Sequence, residues 1–305
     1  MTAVHPLAAP AEQSAPTSPE PSPTDGPAPA YERTARREIA VFLAVTFGLI
    51  GVSTVVAWNE GVDVTHIEDA TPLGAAAMYG QAFFPLLGAL AARFTVGRRG
   101  EGWGFRRAPW RSLASAWAYS VAVVLGAGTL VWLTGTGGLD THADGTTLLT
   151  ALGGLTVLAA PYVLLALGED VGWRGLLTTR LARLGGPRLV VLGGGLAWSA
   201  FHVPLIVWLG GTPEGVPVWF AVTAFTVGTT AFGAVLSSMQ LRYGIWPGVV
   251  AHAVFNAVLY HAVEPLTVTR DATGWTGTET GAFAALVGVL GAAVWLRRNP
   301  IRTGA

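Results

Sequence analysis

Apolar residues run through this chain in blocks too long for the strands or surface helices of a soluble fold. Eight stretches, roughly 38–58, 73–95, 112–134, 147–168, 188–209, 216–240, 244–264 and 280–296, each approach the ~20 residues that a helix needs to cross ~30 Å of hydrocarbon. The pattern predicts an all-α, polytopic transmembrane helical bundle of about eight helices. The polar loops between them alternate in charge. Arg33, Arg36 and Arg37 precede the first stretch. Arg93, Arg98, Arg99, Arg106, Arg107 and Arg111 follow the second, and Arg180, Arg183 and Arg188 follow the fourth. Arg242 separates the sixth from the seventh, and Arg297, Arg298 and Arg302 follow the eighth. The intervening loops carry acids, Gly, Thr and Pro, with Arg270 the one basic exception. Basic loops stay cytoplasmic, so both termini are expected inside.

Composition agrees with the pattern. The chain is 51% hydrophobic and 12% charged, where a soluble domain carries about 25% charge, and its mean hydropathy is +0.50. Formal net charge is zero and every one of the 18 basic residues is Arg; this balance argues against nucleic acid as a partner. The absence of Cys removes disulfides, thiolate metal sites and a cysteine nucleophile from consideration. Residues 1–33, rich in Pro, Ala and Ser, are too poor in large apolar side chains to offset chain entropy and are expected to be disordered. They lack a signal-peptide pattern, so the first apolar stretch is expected to deliver the chain to the cell membrane as an uncleaved, multi-pass protein. Residues 34–300 form the expected transmembrane domain, with the lipid bilayer as its first partner. Gly and Ala favour close helix approach, notably at Gly193-Gly194-Gly195. Trp58, Trp110, Trp208 and Trp246 suit an interfacial belt.

Ionisable groups inside hydrocarbon are costly and persist where they pair or work. Three clusters stand out. In Gly168-Glu169-Asp170-Val171-Gly172-Trp173-Arg174-Gly175, Asp170 and Arg174 are four residues apart and can pair on one helix face, leaving Glu169 turned about 100° away and free for a cavity. In Trp198-Ser199-Ala200-Phe201-His202-Val203-Pro204, Trp198 lies one turn before His202, and Pro204 leaves the carbonyl of residue 200 without its usual donor. In His252-Ala253-Val254-Phe255-Asn256, His252 and Asn256 share a face. Each cluster also has a bland reading: a salt bridge at a membrane exit, a core histidine, a polar clasp between helices. Depth favours the joint one. At 1.5 Å per residue, counted from Arg180, Arg188 and Arg242, Glu169 lies about 16 Å deep, His202 about 21 Å, His252 about 15 Å and Asn256 about 21 Å, provided the fourth segment runs unbroken past Gly168 and Gly172. His261 falls on the opposite face from His252 and is read as structural. His5, His66 and His142 lie in the tail and outer loops.

At these residues the chain resembles the CPBP (CAAX-protease and bacteriocin-processing, or Abi) family of intramembrane endopeptidases, whose signature is Glu-Glu-x-x-x-Arg, then Phe-x-x-x-His, then His-x-x-x-Asn/Asp. The first motif reads Glu169-Asp170-x-x-x-Arg174, with Asp for the second Glu. The second reads Trp198-x-x-x-His202, with Trp for Phe. The third is intact at His252-x-x-x-Asn256, after Trp246-Pro247-Gly248. The resemblance covers about 145–264. It implies hydrolysis of peptide bonds in membrane-associated proteins or peptides, CAAX-type prenylated ones among them. Glu169 would serve as general base on a water, His252 would help orient that water, and His202 and Asn256 would hold the oxyanion. Asp170, Arg174 and Trp198 would support them. No cofactor is needed on this reading. The alternative is a divalent metal, Zn2+, on Glu169, His202 and His252, without the His-Glu-x-x-His pattern that makes such a site recognisable. A transporter or channel and a non-catalytic, immunity-type membrane protein are the other classes these residues allow.

Overall fold

The computed structural model describes residues 28–97 and 102–303; the expectation of disorder for the tail falls mostly outside them. The chain is a helical bundle. Helix α1 spans Ala28–Asn59, α2 Pro72–Gly80, α3 Phe84–Thr95, α4 Trp110–Thr134, α5 Gly145–Gly154, α6 Ala159–Asp170, α7 Thr179–Leu184, α8 Pro187–Trp208, α9 Val218–Tyr243, α10 Ile245–Val258, α11 Thr273–Thr276 and α12 Ala282–Arg298. A 3-10 turn, Gln81–Phe83, joins α2 to α3. Two π-helical stretches, Val171–Thr178 and Leu259–Val263, prolong α6 and α10. The described strands are a two-residue antiparallel pair, β1 Gly138–Leu139 with β2 Thr267–Val268, which ties the α4–α5 loop to the loop after α10.

Six runs have the length and apolarity to cross a membrane: 31–59, 72–95, 110–134, 145–184, 187–208 and 218–243. The seventh and eighth expected segments are helical but compact. Helix α10 has 14 residues before its π turn, and α12 has 17. Large apolar side chains such as Val52, Phe94, Leu133, Leu149 and Val157 point outward, which places the low-energy surface of this bundle in lipid.

Helix α1 begins ten residues earlier than the apolar pattern indicates. Glu32 and Arg36 pair one turn apart at 3.7 Å, and Tyr31 meets Arg183 by a hydrogen bond and a cation–π contact. Polar side chains with partners thus carry the helix past its apolar part.

Helix α8 packs on α9, α12 on α9 and α4, α1 on α3, and α10 on both α4 and α6. Glycine sets several of these distances. A Cβ at Gly195 would lie 2.8 Å from the Thr230 backbone, and one at Gly88 would lie 2.8 Å from the Phe42 carbonyl. Buried hydroxyls add directional ties. Ser120 donates to the carbonyl of Ala251 at 2.7 Å, fixing α10 to α4 one residue before His252. Thr178 and Ser237 meet at 3.0 Å, and Ser199 and Thr226 at 2.7 Å.

One basic residue is not where its loop assignment put it. Arg180 is 2% exposed and pairs with Glu38 of α1, itself 3% exposed. It is an internal tie between α1 and α7 and does not mark the membrane boundary. The fourth segment does continue past Gly168 and Gly172, but as a π helix, whose wider turns advance less per residue than an α helix. Both facts revise the depth of Glu169 counted from Arg180.

Candidate active site

The site is built where α6, the first π stretch, α8 and α10 meet. Gly168 and Gly172 flank the Glu169-Asp170 pair and let it approach the α2–α3 junction. A Cβ at Gly168 would sit 2.6 Å from the Ala82 carbonyl, and one at Gly172 would sit 2.5 Å from that of Pro85. Gly175 lies against Trp103 in the same way, at 3.1 Å. The three glycines of the motif are therefore contact points, and the wide turn is seated by them.

Asp170 is fully buried, and Arg174 is 2% exposed. They form the expected ion pair at 3.2 Å. On its other oxygen Asp170 faces Nδ1 of His252 at 3.6 Å. Neither contact has full hydrogen-bond geometry, so the triad is held by charge and packing more than by directed bonds. Glu169, on the neighbouring face, accepts a hydrogen bond from Nε1 of Trp198 at 2.8 Å. Trp198 is the common neighbour. Arg174 stacks over its ring at 3.7 Å, and its ring lies edge-on to those of His252 at 5.2 Å and His202 at 6.0 Å. Gly233 of α9 borders that stack, where an added Cβ would lie in ordinary contact, 3.4 Å from the indole.

The four clustered helices thus bring Glu169, Asp170, Arg174, Trp198, His202 and His252 together. Glu169 and His252 are buried, at 9% and 5% exposure, while His202 and Asn256 are half-buried. Asn256 stands one turn beyond His252 on α10. Nδ1 of His202 lies 2.9 Å from the Trp198 carbonyl. A carbonyl only accepts, so Nδ1 carries the proton and Nε2 faces the other way; a neutral His202 then offers an acceptor there, and only a charged one offers a donor. The sequence-based role of His202 as an oxyanion donor therefore requires the imidazolium.

The sequence showed one residue as a supporting side chain without its particular contact, and missed another altogether. Trp198 looked like a neutral exchange for Phe, yet its N–H, which Phe lacks, is the bond that holds Glu169. Glu279, in the loop before α12, looked like an ordinary loop acid. It accepts a hydrogen bond from the Tyr260 hydroxyl at 3.3 Å and lies within electrostatic reach of His202, Glu169 and His252. Burial pushes its carboxyl above the ordinary range, with His202 opposing that rise. No spacing rule links residue 279 to the three motifs, so only the loop's return toward the bundle reveals it. His261 pairs with the Tyr162 hydroxyl at 3.2 Å, away from the cluster, in keeping with its structural reading.

The donor set was also expected to allow zinc. Among the described residues, the ligand atoms of His66, Glu68 and Asp69 gather within 4.8 Å of one another, and they are exposed between α1 and α2. Those of Glu169, His202 and His252 are not among the sets that gather in this way; Trp198 takes one oxygen of Glu169 and the carbonyl of residue 198 takes Nδ1 of His202, which leaves the other oxygen and Nε2 as the atoms a metal would use. As placed, this set does not fit a metal.

No curated protein matches the chain. Residues 150–258, which run from α5 to the end of α10 and hold all three motifs, match the family model described as type II CAAX prenyl endopeptidase Rce1-like. Over that span the chain is similar to the CAAX-protease (CPBP) family of membrane endopeptidases.

Proposed function

We propose that this protein hydrolyses peptide bonds of membrane-associated substrates with a water activated by Glu169, without a covalent intermediate. The carrying observation is the meeting of Glu169, His252 and His202 around one indole, from three separate helices. Trp198 holds one oxygen of the Glu169 carboxylate and leaves the other for water. Asp170 faces Nδ1 of His252 at 3.6 Å, so its charge favours the proton on that nitrogen and leaves Nε2 for the water. Water adds to the scissile carbonyl carbon as its proton passes to Glu169. The resulting oxyanion is met by the Asn256 amide and a charged His202. Glu169 then returns the proton to the departing amine as the C–N bond breaks, which yields one carboxylate and one amine. CAAX-type prenylated C-termini are the first substrate class to test, since the match over 150–258 points there.

Glu169→Gln keeps shape and hydrogen-bonding capacity but cannot take a proton. The expected outcome is loss of cleavage of a prenylated C-terminal peptide with an unchanged unfolding temperature. Cleavage at the wild-type rate by a correctly folded Glu169→Gln protein would remove this reading in favour of a non-catalytic one.

A further inference from the structure

The π stretch Val171–Thr178 follows the Glu169-Asp170 pair at one end and runs into α7 at the other. Helical bonding of this wide kind is rare and mostly confined to single turns, so eight residues of it need support from outside the helix. The seats at Gly172 and Gly175 supply part of that support. The rest comes from the α7 end. Thr179 donates its hydroxyl to the carbonyls of Gly175 and Leu176, each at 2.8 Å. Nη1 of Arg180 donates to the same hydroxyl oxygen at 3.4 Å. Nε and Nη2 of Arg180 donate to the Glu38 carboxylate, one to each oxygen. A continuous set of polar contacts therefore runs from α1 into the wide turn.

Helix α1 is built to make that contact. Tyr31 and Glu38 stand about two α-helical turns apart and share a face, and Arg180 and Arg183 stand one turn apart on α7. Glu38 meets Arg180, and Tyr31 meets Arg183. The polar start of α1 is thus a clamp on α7. Gly97, at the end of α3, closes it from a third side, where an added Cβ would lie 2.6 Å from Oε1 of Glu38. Stability alone does not account for the pair. Both members are buried, and apolar residues of like volume in place of a buried ion pair often leave stability unchanged or raise it. What a two-pronged Arg–carboxylate contact adds is geometric specificity. Register matters here. Relaxation of the wide turn to α spacing takes a residue out of it and rotates everything before it by about 100°, one residue's share of an α-helical turn. Glu169 lies on that side, and such a rotation would carry it away from Trp198.

We propose that Glu38 and Arg180 are positioning residues for the hydrolysis: their buried pair, relayed through Thr179, holds the π stretch in the register that aims Glu169. Neither residue touches the reacting atoms. The inference rests on the proposed function.

The test compares full-length wild-type protein in detergent with the double variant Glu38→Leu/Arg180→Met, which replaces the pair by apolar side chains. Its melting temperature should match or exceed that of wild type. Its kcat for a prenylated C-terminal peptide should fall roughly hundredfold, the loss that a misplacement of about 1 Å brings, with KM unchanged. Amide hydrogen exchange reads the register without turnover: exchange over residues 171–178 should quicken roughly tenfold as local opening becomes easier, and Glu169→Gln alone should leave it at the wild-type rate. Should the double variant fail to fold, Thr179→Val, which removes the hydroxyl, should show the same loss of kcat and the same faster exchange, and Thr179→Ser, which restores the hydroxyl, should recover both. Wild-type kcat in a folded double variant, or wild-type exchange over 171–178, overturns the proposal; so does a Thr179→Ser variant as impaired as Thr179→Val. A wild-type protein that cleaves nothing removes the hydrolysis itself, a different failure, seen before any variant is compared.

Discussion

Replacing Trp198 by Phe isolates one hydrogen bond at the centre of the site. The substitution keeps an aromatic face for Arg174 and an edge for the two histidines, and it writes the aromatic that the family motif prefers. What it removes is the N–H that reaches Glu169 at 2.8 Å. The bond is buried, since Trp198 is 5% exposed, so water does not replace it freely. A hydrogen bond to a charged group contributes about 1.5–3 kcal/mol. At 1.36 kcal/mol per factor of ten, kcat/KM for a prenylated peptide should fall roughly ten- to hundredfold. A thermal-unfolding cycle with Glu169→Ala separates this bond from general loss of packing. Trp198→Phe and Glu169→Ala should be non-additive by about 0.5–3 kcal/mol, as contacting pairs are. Wild-type turnover by Trp198→Phe, with additive stability losses, refutes the claim that the indole holds the base.

Asp170→Asn leaves Arg174 buried beside a neutral amide. Removal of one partner from a buried ion pair costs about 3–5 kcal/mol, so the variant should unfold at a much lower temperature in detergent; an unchanged melting curve would show that the pair is not structural. Gly172→Ala forces a Cβ to within 2.5 Å of the Pro85 carbonyl and should cost about 1–3 kcal/mol as overpacking does. Gly194→Ala meets nothing within 4 Å and should be tolerated; equal melting temperatures for the two would contradict the packing role of the motif glycine. Glu279 gives a pH dependence. Its carboxyl sits above the ordinary range when folded, so its contribution is fully present below the ordinary Glu value of about 4.3 and is lost as pH rises through the higher folded value. Glu279→Gln should flatten the fall in melting temperature on this rise, and an unchanged profile would exclude Glu279 as its source.

The bundle was readable in the sequence because hydrocarbon imposes a length and a composition that soluble folds do not. Six of the eight stretches are long apolar helices, and the other two are helical but shorter. The candidate cluster was readable for a related reason: an ionisable side chain in an apolar block stands out against its neighbours. The i, i+4 pairing of Asp170 with Arg174 followed from helix geometry alone. What escaped were features that depend on who faces whom across helices. Arg180 looked like a loop charge because Glu38, its partner, is far away in sequence. The π turn at Val171–Thr178 has no signature in hydropathy; its glycines suggested a break, whereas their missing Cβ atoms seat the turn against Pro85 and Trp103.

Charge balance explains why the indole is central. Glu169 and Asp170 together carry two negative charges when ionised, and Arg174 carries one positive charge, all in a buried cluster. Arg174 is shared: its guanidinium pairs with Asp170 and lies flat on Trp198. A cation on an indole face draws electron density toward itself, and it thereby makes the N–H on the ring edge a better donor. That N–H is the one bonded to Glu169. Arg174 therefore acts on both carboxylates, directly on Asp170 and through the ring on Glu169. This arrangement places the guanidinium on the indole face and leaves the ring N–H as the contact to Glu169. Arg174→Lys preserves the charge and loses the flat stack, so it should retain much of the fold yet lose turnover. If lysine supports wild-type cleavage, the guanidinium face has no part in positioning Glu169.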